Sequence, residues 1–395
     1  VKKSILAASL GAITLVAGVL AATSPADAAG NGRHATRVCA ASTKATVASC
    51  SAKVMVNDKT GAVPASTTPA ASALTPTQLR AAYGLTTDST STVAIVDAYG
   101  YPNLERDLGV YRTQFGLPAC TKANGCLKIL DQNGGTNLPR FNTGWAGETA
   151  LDVDAVSAIC PSCKIVVVQA KSANIPDLGA AAATAARQAG VVAISNSYGG
   201  GDLSDASYGS YYNHPGIAVT ASTGDNGYKG GSFPASSAYV VAVGGTSLTM
   251  SGTTRVSETA WSGAGSGCST VNTALAGAAS FATGCAKRAI ADVSAAADPG
   301  KGGMAVYYPT SSRNSTWAQV GGTSESSPII AAVFALAGGP GAGVQANSVP
   351  YAHSGSLRDV TAGSNGSCPT TQWCNARAGW DGPTGLGVPN GLGGF

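Results

Sequence analysis

Five short runs constrain this chain most: Thr92–Val96, Lys164–Gln169, Val191–Ile194, Gly216–Ala221 and Ala238–Val243. Each is rich in Val, Ile or Ala at consecutive rather than alternate positions, so none keeps a polar face for solvent. Such strands need cover on both sides, which a parallel sheet between two layers of helices provides. Helical stretches separate several of them: Asn103–Phe115, Gly147–Ile159 and the alanine-rich Pro176–Gln188. A further helix starts at Thr75-Pro76, with a threonine cap and a proline in the first turn. The prediction is an α/β fold, with any site at the C-terminal ends of the strands. The segment Thr246–Lys301 is polar and glycine-rich and is expected to form loops and edge strands. No internal repeat is visible.

At 395 residues the chain can bury a large core. A charged fraction of 11% is too low for a disordered protein, and a net charge of +4 without basic runs argues against a nucleic-acid partner. Residues 1–28 read as a secretory signal: Lys2 and Lys3 at the start, an apolar stretch from Ile5 to Ala22, and Ala26-Asp27-Ala28 as a cleavage site. An uncleaved anchor is the alternative, and no later segment is long and apolar enough to span a bilayer. The expectation is a secreted, extracellular product, monomeric and free of membrane after cleavage. Residues 29–74, weakly patterned, read as a short pro-segment or linker before a domain spanning 75–395.

The ten cysteines fall into five neighbouring couples: 39 with 50, 120 with 126, 160 with 163, 268 with 285, and 368 with 374. An even count in an exported chain reads as disulfides, and the clustering favours local staples, although spacing alone does not fix the pairing. Cys160-Pro-Ser-Cys163 closes a helix rather than opening one and has no second Cys-x-x-Cys, so a structural disulfide is favoured over a redox or zinc motif.

Gly321-Gly322-Thr323-Ser324-Glu325-Ser326-Ser327-Pro328 precedes the apolar run Ile329–Ala337. The glycines permit a tight turn and close approach, and the proline suits the first turn of a buried helix. A serine at that helix mouth gains free N–H groups and the positive end of the dipole. It is a candidate nucleophile, with a plain N-cap as the alternative.

A serine nucleophile needs a base. His34 lies in the pro-segment, His214 precedes Pro215 in a loop, and His353 sits in a Ser/Gly-rich loop. None opens a helix in a glycine-rich setting, which weakens an Asp-His-Ser reading that would use Asp97. Glu148 and Asp152 stand four apart and share one helical face with apolar neighbours Ala155, Val156 and Ile159. Buried together, two carboxylates repel and one is held protonated; on a solvated face, with Asp154, they would be an acidic stripe. Gly224-Asp225 follows a strand, where a protonated aspartate could donate to a developing oxyanion and an ionised one would be a turn former.

Together these motifs resemble the sedolisin family of serine-carboxyl peptidases. The resemblance rests on Gly321–Pro328, with Gly321 in place of a serine, on Glu148–Asp152 including Leu151, and on Gly224-Asp225. Thr75–Tyr83, Ser195–Gly199 and Asp292–Pro299 extend it over residues 75–395. It implies a subtilisin-like three-layer fold around a mostly parallel sheet of about seven strands. It also implies an endopeptidase in which Ser324 attacks the peptide carbonyl, Glu148 is base and acid, Asp152 is its partner, and Asp225 helps form the oxyanion hole. Protein or peptide substrates follow. One structural Ca2+ is implied, held by the side chains of Asp359 and Asp381 and the carbonyls of Val360, Arg377 and Gly379; Arg377 stands where the family usually has glycine. The alternative is a catalytically inactive, peptidase-like extracellular binding protein.

Overall fold

A computed structural model describes residue 1 and residues 32–395. The signal reading of residues 1–28 lies outside the described residues. In chain order, three strands come first: β1 (Arg33–Arg37), β2 (Ser49–Cys50) and β3 (Lys53–Asn57). There follow α1 (Pro76–Ala82), β4 (Thr92–Ala98), α2 (Leu104–Gln114), β5 (Leu127–Asp131), α3 (Thr143–Ile159), β6 (Lys164–Ala170) and α4 (Ile175–Ala186). The middle of the chain carries β7 (Val191–Asn196), β8 (Tyr198–Gly199), the single-turn α5 (Asp205–Tyr208), β9 (Ala218–Ser222), β10 (Val241–Ser251) and β11 (Thr254–Ala260). The two-residue β12 (Gly267–Cys268) and β13 (Ala289–Ile290) pair with each other and precede β14 (Val293–Ala296). Last come β15 (Met304–Pro309), β16 (Ser315–Gly321), α6 (Thr323–Leu336) and α7 (Ser348–Ala352).

The central sheet has the order β11-β10-β9-β7-β4-β6-β5, with β14 also on β10. Seven of its strands are parallel and only β11 runs antiparallel, as the predicted architecture requires. The strand β4 shows why such runs need no polar face. Val93 and Ile95 pack into one core with α3 and α6, while Ala94 and Val96 pack into the other with α4. Both layers are built of buried apolar side chains, so a charge introduced on either face of this strand would be left unpaired.

Two regions are more ordered than the sequence pattern implied. Within Thr246–Lys301, β14 is a fully buried member of the central sheet, paired in parallel with β10 from Val243↔Val293 to Thr246↔Ala296. Its Val-Ser-Ala-Ala sequence has little strand propensity; its partner strand and its packing on α6 decide its conformation. Residues 32–74 supply β1 and β3 to a second, antiparallel sheet of order β1-β3-β16-β15. Lys53-Val54-Met55-Val56-Asn57 alternates, with Val54 and Val56 buried, a half-buried strand signal that is present in the sequence but short. All five neighbouring cysteine couples are bonded, and no cysteine among the described residues is free. No helix among the described residues is long and apolar enough to cross a membrane.

Candidate active site

Helix α3 starts at Asn142, whose side chain accepts the N–H of Trp145, and every residue from Trp145 to Ile159 is buried. Its i, i+4 geometry puts Glu148 and Asp152 on the side that packs against α6, both without solvent exposure. The solvated-stripe alternative is therefore excluded, and Asp154 is buried as well. Gly147 is required by close approach: a Cβ there would lie 2.5–2.8 Å from the ring and hydroxyl of Tyr308.

Helix α6 begins at Thr323, so Pro328 sits inside the helix rather than in its first turn. The proline has no N–H to return to the Ser324 carbonyl four residues back. The hydroxyl of Ser197, just beyond β7, lies 3.3 Å from that carbonyl and 2.8 Å from Asp152 Oδ1. Gly322, with φ 113°, turns the chain from β16 into α6. A Cβ at Gly322 would collide with the Ser51 carbonyl and lie 2.6 Å from Asp225 Oδ2.

Glu148, Asp152, Asp97, Asp225 and Ser324 meet here. Burial pushes the Glu148 carboxyl well above the usual range, and the charges of Asp152, Asp97 and Asp225 add to the shift, while the Ser324 hydroxyl opposes it. That hydroxyl bonds the Ser197 carbonyl at 3.1 Å, so neither Glu148 oxygen holds a formed hydrogen bond. Asp152 is likewise raised by burial and by Asp97, and eased by Ser197. Burial lifts Asp97, at the end of β4, to about 7. The nearby Thr149 hydroxyl eases it, although its proton goes to the Trp145 carbonyl at 2.9 Å. The site thus contains a third carboxylate beside the pair; strand-end position flagged Asp97, but only packing shows that it faces Asp152 rather than a histidine.

Asp225 follows β9. Its Oδ1 accepts the N–H and hydroxyl of Thr323 at 2.8 and 3.0 Å, and its buried Oδ2 has no partner. Burial pushes it up to about 7 against the pull of Thr323, Lys53 and Arg37. A carboxyl at that value carries a proton below neutrality, with Oδ2 free to donate it. The histidines are engaged elsewhere: His34 with Asp58 on the exposed β1, His214 with the Tyr211 carbonyl, and His353 at the end of α7. No histidine hydrogen-bonds Ser324, and the charges felt by Glu148 are all carboxylates. The sulfurs of the Cys39–Cys50 disulfide lie within 4.8 Å of a Glu148 oxygen, but as a bonded pair they are not metal ligands.

The suspected metal residues form a separate cluster near the C-terminus. Asp381 Oδ2 accepts the Arg377 N–H at 3.0 Å, its Oδ1 accepts the Thr384 N–H and hydroxyl at 2.9 Å each, and Asp359 Oδ2 accepts the Gly379 N–H at 2.8 Å. Burial and the Asp359 charge push Asp381 up to about 7, with no cationic side chain against it. Among the described residues, no hydrogen bond ends on the carbonyls of Val360, Arg377 or Gly379. The Arg377 side chain points to Gln372 at 3.1 Å, away from this cluster. Two carboxylates and three free carbonyls fit a hard cation.

No family model matches the chain. It is similar to kumamolisin of Bacillus sp. strain MN-32, 28% identical over 339 residues, covering 76% of this chain and 58% of that protein. Tripeptidyl-peptidase sed1 of Aspergillus fumigatus is 42% identical over 77 residues, which cover 18% of this chain and 12% of that one. The chain thus spans well under two thirds of the length of both curated relatives. The Pseudomonas sedolisin structure, a serine-carboxyl proteinase complexed with pseudo-iodotyrostatin, superposes with a TM-score of 0.65. It covers 83% of this chain and 96% of its own at 24% identity. Sphericase superposes with a TM-score of 0.52 at 17% identity over 79% of this chain and 96% of its own. The chain is similar in sequence to kumamolisin and has the subtilisin-like fold of the superposed sedolisin structure.

Proposed function

We propose that this protein is a secreted serine-carboxyl endopeptidase. Ser324 Oγ attacks the scissile carbonyl and passes its proton to Glu148. Asp152 shares a proton with Glu148 and holds it oriented, and Asp97 behind Asp152 is a positioning residue that keeps the group at low total charge. Asp225, protonated, donates through Oδ2 to the oxyanion beside the Ser324 N–H. Glu148 then protonates the leaving amine, and the same sequence run with water hydrolyses the ester.

One observation carries the reading: the serine at the mouth of α6 is buried with four carboxylates and no histidine. Coupled buried carboxylates hold protons into the neutral range, so the base and the oxyanion donor can coexist only while the group is partly protonated. The five disulfides support export to an oxidising compartment, with protein or peptide substrates. Asp359 and Asp381, with the carbonyls of Val360, Arg377 and Gly379, would hold Ca2+. The ion would neutralise the two carboxylates and lock the C-terminal turns without entering the reaction.

The test is hydrolysis of a denatured protein from about pH 3 to 8, bracketing ordinary and raised carboxylates. Ser324→Ala and Glu148→Gln should each lose about 1,000-fold or more in kcat/KM, with pepstatin-type inhibitors of aspartic dyads having no effect on the parent. Equal rates for Ser324→Ala and parent would refute the mechanism. No turnover by the parent at any pH, with calcium-dependent thermal stability kept, would favour the inactive binding protein instead.

A further inference from the structure

Strand β6 runs Ile165-Val166-Val167-Val168 and then places a glutamine, Gln169, before Ala170. Ile165 and Val167 pack into the core with α3 and α6, and Val166 and Val168 into the core with α4, so the alternation turns Gln169 toward α3. The same alternation along β4, through Val93 and Ile95, turns Asp97 that way. Asp97 and Gln169 are register partners in the parallel pairing of β4 with β6. On the other flank Val96 pairs with Asn196, so Ser197 continues the row. Ser197, Asp97 and Gln169 thus stand side by side at three neighbouring strand ends, under the part of α3 that carries Thr149 and Asp152.

All three are wholly buried. Ser197 gives its hydroxyl proton to Asp152. Among the described residues, neither oxygen of Asp97 and neither amide atom of Gln169 has a hydrogen-bond partner. An amide buried with both ends unmade is costly beside an apolar side chain of its size, so packing alone does not account for Gln169. The groups facing Asp97 are Glu148, Asp152 and Thr149 from α3 and Tyr198 from β8. Thr149 gives its proton to the Trp145 carbonyl, and Tyr198 gives its own to Asn196. Of the groups in this row and facing it, Gln169 alone has donor protons not already engaged. Asp131, the register partner of Gln169 on β5, is bound in its own turn by the N–H groups of Asn133, Gly135 and Asn137. Arg140, the cation stacked over the Tyr99 ring at 5.8 Å, shifts none of the three carboxyls.

We propose that Gln169 is a positioning residue of the carboxylate group: its amide donates to Asp97 and lets Asp97, Asp152 and Glu148 together hold one negative charge in acid. The proposal rests on the peptidase reading above. In that reading Glu148 can accept the Ser324 proton only when the three carboxyls share two protons rather than three. Adjacent strands lie about 4.8 Å apart, and glutamine is longer than aspartate by one methylene. The terminal torsion of a glutamine is soft, so rotation about it can bring an N–H onto the Asp97 carboxylate without moving either backbone. That bond favours the charged form of the group. After a half-turn the amide carbonyl accepts from a protonated Asp97 instead, so one side chain serves both states that alternate during turnover. Gln169 touches neither substrate nor Ser324 and acts through Asp97.

The test is the pH profile of the full-length chain on a denatured protein, with variants at residue 169. Gln169→Met keeps the size and removes both polar atoms. Its acid limb should move up by about one pH unit, a loss of about tenfold in rate at a pH on that limb, with KM near the parent's. Gln169→Glu keeps the shape, loses the amide donor and adds a further coupled carboxyl, so its limb should move at least as far. In Asp97→Asn the neighbour of residue 169 no longer titrates, and adding Gln169→Met should shift the limb no further. Infrared titration in a Ser324→Ala background reads the same event without turnover: with Gln169→Met the protonated-carboxyl band should persist about one pH unit higher. A parent that hydrolyses, with limb and band unmoved in both variants, overturns the role of Gln169 and leaves the peptidase standing. If Gln169→Met fails to fold, Gln169→Glu decides by the same two readings. A parent without turnover at any pH overturns both.

Discussion

The hydroxyl of Ser197 donates to Asp152 Oδ1 across 2.8 Å, and both residues are completely buried. It is the one hydrogen bond that either carboxylate of the α3 pair receives, since Asp152 Oδ2 and both Glu148 oxygens have none. Removing it in Ser197→Ala leaves Asp152 harder to ionise. The expected cost at pH 7 is about 1–3 kcal/mol in denaturant unfolding. The pH–activity profile should also move upward, and Ser197→Thr should restore it. A stability loss with an unmoved profile would make Ser197 purely structural.

Asp225 sets the alkaline limit of the proposed reaction. Burial raises it to about 7, so it is protonated and able to donate below that pH, and ionised and repulsive toward an oxyanion above it. Activity should fall as pH rises past about 7. In Asp225→Asn the donor no longer titrates, so a weaker activity should persist to higher pH. Loss of the alkaline limb is the outcome to look for; an unchanged limb assigns it to another group.

Gly322 combines φ 113° with a Cβ position blocked by the Ser51 carbonyl and Asp225. Gly322→Ala adds backbone strain and overpacking, together about 3 kcal/mol. It should also abolish hydrolysis of a denatured protein, because the added Cβ crowds the Asp225 oxygen proposed to serve the oxyanion. Thermal melting and hydrolysis of a denatured protein measure the two effects separately.

Removing calcium should lower Tm without altering the pH profile of any remaining activity. At ion concentrations near 100 times Kd the stabilisation is about 2.7 kcal/mol, a shift of about 4 °C for a domain of this size. Asp381→Asn should show the lower Tm with or without chelator. A parent whose Tm ignores both calcium and EDTA has no such site.

Folded stability should be highest in acid. Burial raises Glu148, Asp152, Asp154 and Glu325 well above the usual range, and Asp97 and Asp225 to about 7. The folded state then holds protons that the unfolded chain releases near pH 4, so stability declines from about pH 4 through 7 and beyond. Glu325, beside the nucleophile but outside the proposed chemistry, isolates the effect: Glu325→Gln should gain about 1–3 kcal/mol at pH 8 and little at pH 4. A stability optimum at neutral pH in the parent would contradict the burial of these groups.

Much of the scaffold was legible because its signals are local. Runs such as Ile165–Val168 must be covered on both faces whatever else the chain does, and Thr75-Pro76 with Gln78 makes a capping box from adjacent residues. The four-residue spacing of Glu148 and Asp152 put them on one helical face without reference to tertiary structure. By contrast, Val293–Ala296 becomes a buried edge strand of the central sheet only because β10 and α6 receive it, and the start of α6 at Thr323 depends on the turn of Gly322 against Ser51 and Asp225.

Alone, the sequence determined an α/β core, a serine at a helix mouth, a carboxylate pair and the absence of a well-placed histidine, since these follow from composition and periodicity. Only the tertiary structure decided that Asp97 joins the pair, that Asp225 keeps one oxygen free, and that Ser51 occupies the Ser324 N–H. Each depends on which groups lose water together, and that is set by contacts between residues far apart in the chain.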